Sequence, residues 1–203
     1  MSLREKKTAK KKEEIISTAV SIIAEKGYQR TTMEDIASRL LMTKGSVYYY
    51  FKDKQDLLFQ SHQLLLERSI ENIHDIQQLD IPITEKLKQS MMAHIDHLIS
   101  EKSGFELMLK PEQYFSDYQL QEIQKLREDY SRCFDQLIDE GIETGIFVSL
   151  DRKIVRNLVL GAMNWITQWY SSDGKLGKEG LSETISDYLM RILIKKKNEE
   201  GLG

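Results

Sequence analysis

A lysine, a serine and three consecutive tyrosines between Thr43 and Phe51 are the residues of this chain best suited to act on another molecule. At helical spacing Lys44, Ser46, Tyr48 and Tyr49 turn outward while Val47 and Phe51 turn inward, so one short helix, Lys44 to Tyr50, carries a row of hydrogen-bond donors. Thr43 is placed to cap that helix, and Thr32 with Asp35 three residues on has the form of a capping box for the helix before it. Met33, Ile36, Ala37 and Leu40 supply the buried side of this earlier helix, about Met33 to Leu40. Leu41-Met42 leaves room only for a tight connection. Asp53, with Asp56 three residues on, caps a third helix that opens on Leu57 and Leu58. Two short helices joined by a tight turn, the second studded with amine and phenol donors, form the pattern of a helix-turn-helix whose second helix enters the major groove of DNA.

Gly27-Tyr28, Thr31-Thr32, Ile36-Ala37, the run Lys44-Gly45-Ser46-Val47-Tyr48-Tyr49-Tyr50-Phe51, Lys54 and Leu57-Leu58 make the segment Ile15 to Leu58 resemble the DNA-binding domain of the TetR/AcrR family of bacterial transcriptional regulators. The likeness covers about a fifth of the chain. It implies that Lys44, Ser46 and Tyr48 face base edges, where a lysine donates to guanine O6 and N7 and a hydroxyl serves several bases. By the same resemblance Thr32, Thr43, Tyr49 and Lys54 hold phosphates, Gly45 keeps the helix surface low, and Tyr50 and Phe51 pack beneath. The family places glycine in the turn where this chain has Leu41. A left-handed leucine is strained, so the turn is expected to be strained or differently shaped.

Composition sets the frame around this segment. The 203 residues contain 2 prolines and 11 glycines and are 40% hydrophobic, which predicts an all-α chain of about nine helices. We expect a head, residues 1–58, comprising an arm and the helix-turn-helix, and a body, residues 59–203, for ligand binding and dimerisation. The net charge of −3 is divided unevenly: residues 1–58 hold 12 Lys and Arg against 8 Asp and Glu, the remainder 17 against 24. A basic head on an acidic body suits a protein that touches phosphates with one end. Met1 to Lys12 is lysine-rich without apolar periodicity and reads as an arm that either follows DNA or frays. The apolar stripe of the first helix begins at Ile15 and ends before Gly27. No apolar run reaches the roughly 18 to 20 residues of a membrane span, no signal-peptide pattern is present, and the lone Cys133 cannot form an internal disulfide, so a cytoplasmic protein is expected.

In the body, a helix from Leu58 to about Ile76 leaves the head, so head and body share it. Thr84 caps the next helix, which carries Leu87, Met91, Ile95 and Leu98. A long helix runs from about Leu120 to Ile142, another from Asp151 to Tyr170, and a last one from Leu181 to Ile194. The last two are apolar around more of their circumference than one core needs; the family resemblance implies that they pair with a second subunit in a four-helix bundle. A homodimer also lets two short recognition helices read the half-sites of a palindromic operator. The resemblance further implies a pocket for a small hydrophobic effector and no resident cofactor or metal. The stretch Gly161 to Tyr170, followed by Asp173-Gly174 and Leu176, resembles a subgroup of the family that senses acyl-CoA thioesters. Phe105, Met108, Tyr114, Tyr130 and Phe134 are then candidates for an acyl tunnel, Arg127 or Arg132 for a CoA phosphate, and Trp165 or Trp169 for stacking on adenine, against the plainer reading that they are core and interface aromatics. A sensor of aromatic or cationic drugs is the alternative effector class, and a helix-turn-helix interaction module without DNA binding is the alternative from another class.

Other signals are weaker. His94 and His97 share a helical face but lack a third ligand for a metal, and Cys133 beside Phe134 reads as a buried small hydrophobe. No G-x-S-x-G, P-loop, dinucleotide fingerprint or H-E-x-x-H is present, so no catalytic residue is assigned and an enzyme is not expected.

Overall fold

The computed structural model describes residues 2–100 and 111–195, which are helical apart from connections and one isolated antiparallel pairing of Phe147 with Ile194. The helices are α1 (Leu3–Lys26), α2 (Met33–Arg39), α3 (Lys44–Tyr48), α4 (Lys54–Gln77), α5 (Ile83–Ser100), α6 (Asp117–Glu143), α7 (Arg152–Asn164), α8 (Ile166–Trp169) and α9 (Lys178–Leu193), with a 3-10 turn at Pro111–Gln113 before α6. They divide into two compact units whose boundaries fall inside α4 and α6. One holds the residues up to Glu67 and those of 111–126; the other holds Arg68–Ser100 and the residues from Arg127 onward. The head thus extends past residue 58, because Leu58 and Leu66 of α4 bury themselves with Ile23, Phe115 and Ile123 in a second small core.

The first core of the head joins Ile15, Ala19 and Ile22 of α1, Met33, Ile36 and Ala37 of α2, Val47 of α3, and Phe51 and Leu57. Each apolar position recurs at the three- and four-residue spacing that puts it on one helical face. The first helix begins far earlier than its apolar stripe. Ser2 and Glu5 form a capping box, with the Glu5 amide on Ser2 Oγ at 3.2 Å and the Ser2 amide on the Glu5 carboxylate at 2.7 Å. The expected arm is therefore helix from Leu3, set by a cap and by helix-favouring Lys, Ala and Glu rather than by burial.

The second unit has one large core, drawing Leu87, Met91 and Ile95 from α5, Tyr130, Phe134, Leu137 and Ile138 from α6, Val155, Val159 and Met163 from α7, Ile166 from α8, and Leu181, Leu189 and Leu193 from α9. Ile83, not Thr84, opens α5, where the Pro82 carbonyl receives the amides of Glu85 and Lys86. Gly141 lies inside α6, where the Phe147 ring occupies the space a Cβ would take. The expected single helix to Tyr170 breaks at Trp165. Thr167 Oγ1 donates to the Asn164 carbonyl at 3.0 Å, and the Gln168 amide reaches the Trp165 carbonyl three residues back, so the α-pattern lapses for a turn. The last helix begins at Lys178 rather than at Leu181, and Gly180 lies within it.

Leu41 in the α2–α3 turn has φ 54°, the strained conformation considered from the sequence, and its side chain is 96% exposed. Left-handed backbone costs a side-chain-bearing residue about 1 to 2 kcal/mol, part of which glycine returns through unfolded-chain entropy. Leu41→Gly should therefore stabilise the head by roughly 0.5 to 1 kcal/mol, read as a higher urea midpoint.

Candidate nucleic-acid interface

The outward row on α3 depends on a helix of only five residues. Thr43 supports its start: Thr43 Oγ1 accepts the Ser46 amide at 3.1 Å and shares a hydrogen bond with Ser46 Oγ at 2.7 Å. Val47 anchors the inner side at full burial, and Phe51 follows it into the core. Outside stand Lys44, Gly45, Tyr48 and Tyr49, with Tyr49 the more open tyrosine at 71% exposure. Tyr49 meets Tyr50 edge-on at 5.0 Å between ring centroids, while Tyr50 packs partly against the core beneath. A Cβ on Gly45 would find only Thr43 Oγ1, at 4.0 Å, so the helix surface there is low and open.

Helix α2 is set by the capping box foreseen from Thr32 and Asp35. Thr32 Oγ1 accepts the Asp35 amide at 3.1 Å and Asp35 Oδ2 accepts the Thr32 amide at 2.8 Å. Lys26 and Thr32 together hold the Asp35 carboxyl at about 2, so it is ionised at any physiological pH. The hydroxyls of Thr32 and Thr43 thus already serve as caps. Two further ion pairs, Lys26–Asp35 and Arg39–Glu25, join the end of α1 to α2.

Lys54 departs from its expected role. Its ammonium is turned inward, donating to the carbonyls of Tyr28 at 2.5 Å and Thr31 at 2.7 Å and standing 4.2 Å from the centre of the Tyr28 ring. It ties the loop before α2 to the start of α4 rather than presenting a charge for a phosphate. Glu34, which sequence reading passed over, contacts Lys44 in an ion pair. Its sole sequence signal is its place in the first turn of α2, a position that favours any acid.

Among the described residues of the second unit, the candidate effector residues take different settings. Tyr130 and Phe134 are buried together at 5.5 Å between ring centroids, and both stack against or edge His94. Tyr130 Oη lies 2.6 Å from His94 Nδ1, and His94 Nε2 lies 3.1 Å from Asn164 Oδ1. With Asn164 accepting, Nε2 carries the proton and Nδ1 receives that of Tyr130, so the exposed Asn164 and the buried Tyr130 together satisfy both ring nitrogens of His94. Asn164, 70 residues from His94, gave no sign of this in the sequence. Burial lowers His94 to about 4, with His97 adding to the effect, and pushes the Tyr130 phenol up. Trp165 and Trp169, by contrast, are 65% and 52% exposed, and Ile154 and Leu158 earlier on α7 are exposed too. Arg132 is exposed and pairs with Asp129 on its own helix. Phe105 and Met108 lie outside the described residues. Tyr114 packs edge-on against Tyr28 in the head unit. Cys133 is buried, its thiol raised by burial, as an inert small hydrophobe would be.

A capped five-residue helix that exposes an amine and two phenols above a three-helix core is the reading apparatus of a helix-turn-helix DNA-binding regulator. Comparison with known proteins agrees at both ends of the chain. Residues 15–60 match the family model for bacterial regulatory proteins of the tetR family, and residues 80–193 match that for the tetracyclin repressor-like C-terminal domain. The chain belongs to the TetR family of transcriptional regulators. It is 27% identical over 180 residues to the fatty acid metabolism regulator protein of Bacillus subtilis, spanning 87% of this chain and 92% of that protein. Among solved structures, it is similar to a TetR/AcrR-family regulator from Thermobifida fusca (28% identity, TM-score 0.75, 89% of this chain and 97% of that one). It is also similar to the fatty acid degradation regulator FadR of Bacillus halodurans (26% identity, TM-score 0.74, 89% and 94%). None of the helices among the described residues is long and apolar enough to cross a membrane.

The two lysines of the head should separate in solution. Lys44→Ala is expected to cost about 1 to 3 kcal/mol at one base pair of a bound site and to relax specificity there. Lys54→Met should instead lower head stability by about 1 to 3 kcal/mol, since the Thr31 carbonyl loses its donor and that of Tyr28 keeps only the Thr31 amide, while the slope of log affinity against log salt stays unchanged. A flattened slope in Lys54→Met would return this residue to the phosphates. His94 predicts a pH effect of defined sign. Its folded pKa lies below its unfolded value near 6.5, so its contribution is fully present above that pH and is lost as pH falls toward about 4. Urea midpoints of wild type should fall more between pH 7 and pH 5 than those of His94→Gln, with a slope of at most about 1.4 kcal/mol per pH unit from this group.

Proposed function

We propose that this regulator is a repressor which binds a palindromic operator as a homodimer and is released by a fatty acyl-CoA. The observation that carries the DNA-directed half is the α3 surface, where Lys44, Tyr48 and Tyr49 are exposed around a low Gly45. Five residues read only a few base pairs, so a second copy on a two-fold axis is needed to give an operator its length, with half-sites about one helical turn or a multiple apart. A dimer covering a promoter represses by occlusion without further parts.

The second copy has a surface to meet. Ile154, Leu158, Trp165 and Trp169 stand exposed along α7 and α8, and Gly161 leaves open space in the same row. On α9 Tyr188 and Ile192 are exposed one turn apart. Apolar stripes of this kind on a regulator's last helices favour burial against another copy. Trp165 and Trp169 fit that contact better than adenine stacking. A charge placed in it, Leu158→Asp, should leave a folded monomer by sedimentation velocity and abolish tight operator binding.

The effector class rests on likeness to regulators of fatty acid metabolism and degradation. Such a ligand acts by preferring a body conformation whose paired heads no longer match the half-sites, and a differential affinity of about 1 to 3 kcal/mol suffices for regulation. The test is anisotropy of a labelled fragment from the gene's own upstream region, at fixed salt with excess random DNA, during titration with acyl-CoAs of several chain lengths. Release by one length class, with no effect of free CoA, is the expected result. Tight binding that no acyl-CoA disturbs would discard the lipid effector and keep the regulator.

A further inference from the structure

Glu34 and Lys44 occupy the first turns of α2 and α3, and the tight turn between these helices brings the two side chains into an ion pair. Both remain more than half exposed, at 53% and 55%. Lys44 Nζ also lies 5.7 Å from the centre of the Tyr48 ring, so the amine is held between a carboxylate and a phenol of the recognition surface itself. The other acids near this turn have cations of their own: Asp35 is held by Lys26, and Glu25 by Arg39. Glu34 is fixed where it is by a second influence, the positive end of α2, which favours an anion in the first turn.

We propose that Glu34 masks Lys44, so that the lysine is surrendered to a pair of acceptors on a base edge but not to a lone phosphate. The reasoning is an exchange of partners. On arbitrary DNA the base edge opposite Lys44 is guanine in only a minority of registers, and elsewhere Lys44 can leave Glu34 only for a phosphate, an exchange of one anion for another that gains little and leaves the Glu34 charge unpaired close to the phosphates. At guanine, O6 and N7 offer two acceptors together, and their geometry compensates the lost pair. Glu34 thereby lowers binding to random sequence more than binding to the operator. It is a specificity-determining residue that need not touch a base. The ionisation of the pair agrees with this arrangement, since the Lys44 hydrogen bond lowers the Glu34 pKa and Glu34 raises that of Lys44.

This inference rests on the reading of α3 as the DNA-contacting helix. The experiment uses the full chain, a random-sequence duplex, and the consensus duplex that wild type selects from a random pool. Variants are Glu34→Gln, Lys44→Ala and the double substitution. Glu34→Gln keeps the Thr32–Asp35 capping box, so melting temperature should match wild type. It should tighten binding to the random duplex by about two- to fivefold, the worth of an exposed ion pair. The salt slope on that duplex should steepen by about 0.9, one further phosphate. The consensus duplex should gain less, so the ratio of the two affinities falls, and Glu34→Gln should change nothing in the Lys44→Ala background. A gain that persists without Lys44 would overturn the mask, leaving only repulsion by the Glu34 charge. A loss confined to one base pair of the consensus would also overturn it, making Glu34 a reader of a cytosine amino group. If wild type selects no consensus at all, the reading of α3 itself fails, and the inference with it.

Discussion

A helix of five residues has almost no hydrogen bonds of its own: the first four amides and last four carbonyls of any helix lack internal partners, and α3 is shorter than those two ends combined. Everything about the reading surface follows from that constraint. The start of α3 is held by the Thr43 side chain, its inner face by Val47, and its continuation by Phe51, which sits in the same core as α1 and α2. Lys54 secures the loop ahead of α2 by donating to two of its carbonyls, that of Thr31 and that of Tyr28, which also accepts the Thr31 amide. The donors on α3 can therefore be aimed because nearly every side chain around them is committed to structure.

The same economy governs the charges. The head has a positive balance, yet its cations around the turn are joined to acids: Lys26 to Asp35, Arg39 to Glu25, Lys44 to Glu34. Exposed pairs of this kind contribute little to stability, about 0 to 1 kcal/mol each. Their effect is on geometry and on which charges DNA can recruit. In the second unit, Tyr130, His94 and Asn164 bind one another across three helices, from the apolar core out to the surface. Tyr130 and His94 are buried while Asn164 reaches the surface, and a partner that leaves imposes a cost on the buried groups that remain. The break at Trp165 immediately follows Asn164, so the end of α7 and the chain of hydrogen bonds are mechanically one feature.

Much of the head was legible because its signals are local. Capping boxes act over three residues, apolar spacing over four, and Thr32, Asp35, Thr43 and Asp53 all cap as their positions indicate, while Asp56 takes the Lys52 amide instead of that of Asp53. Even the strain at Leu41 was readable, since only backbone conformation was in question. The start of α1 was not, because it depends on a cap and on propensity where periodicity was the guide. Nor was the head's true extent: Phe115 and Ile123 join it through a core formed with residues far away in the chain.

By itself the sequence determined the helix-turn-helix, the apolar faces, the split of charge and the family. Those properties repeat at short spacing and need no knowledge of distant neighbours. Only the tertiary structure decided what individual side chains do. It turned Lys54 inward beneath Tyr28, set Glu34 against Lys44, left Trp165 and Trp169 on an open face, and joined His94 to an asparagine 70 residues on. A charged or aromatic side chain has the same type wherever it lies, and its role is set by the groups that folding brings within a few ångströms of it.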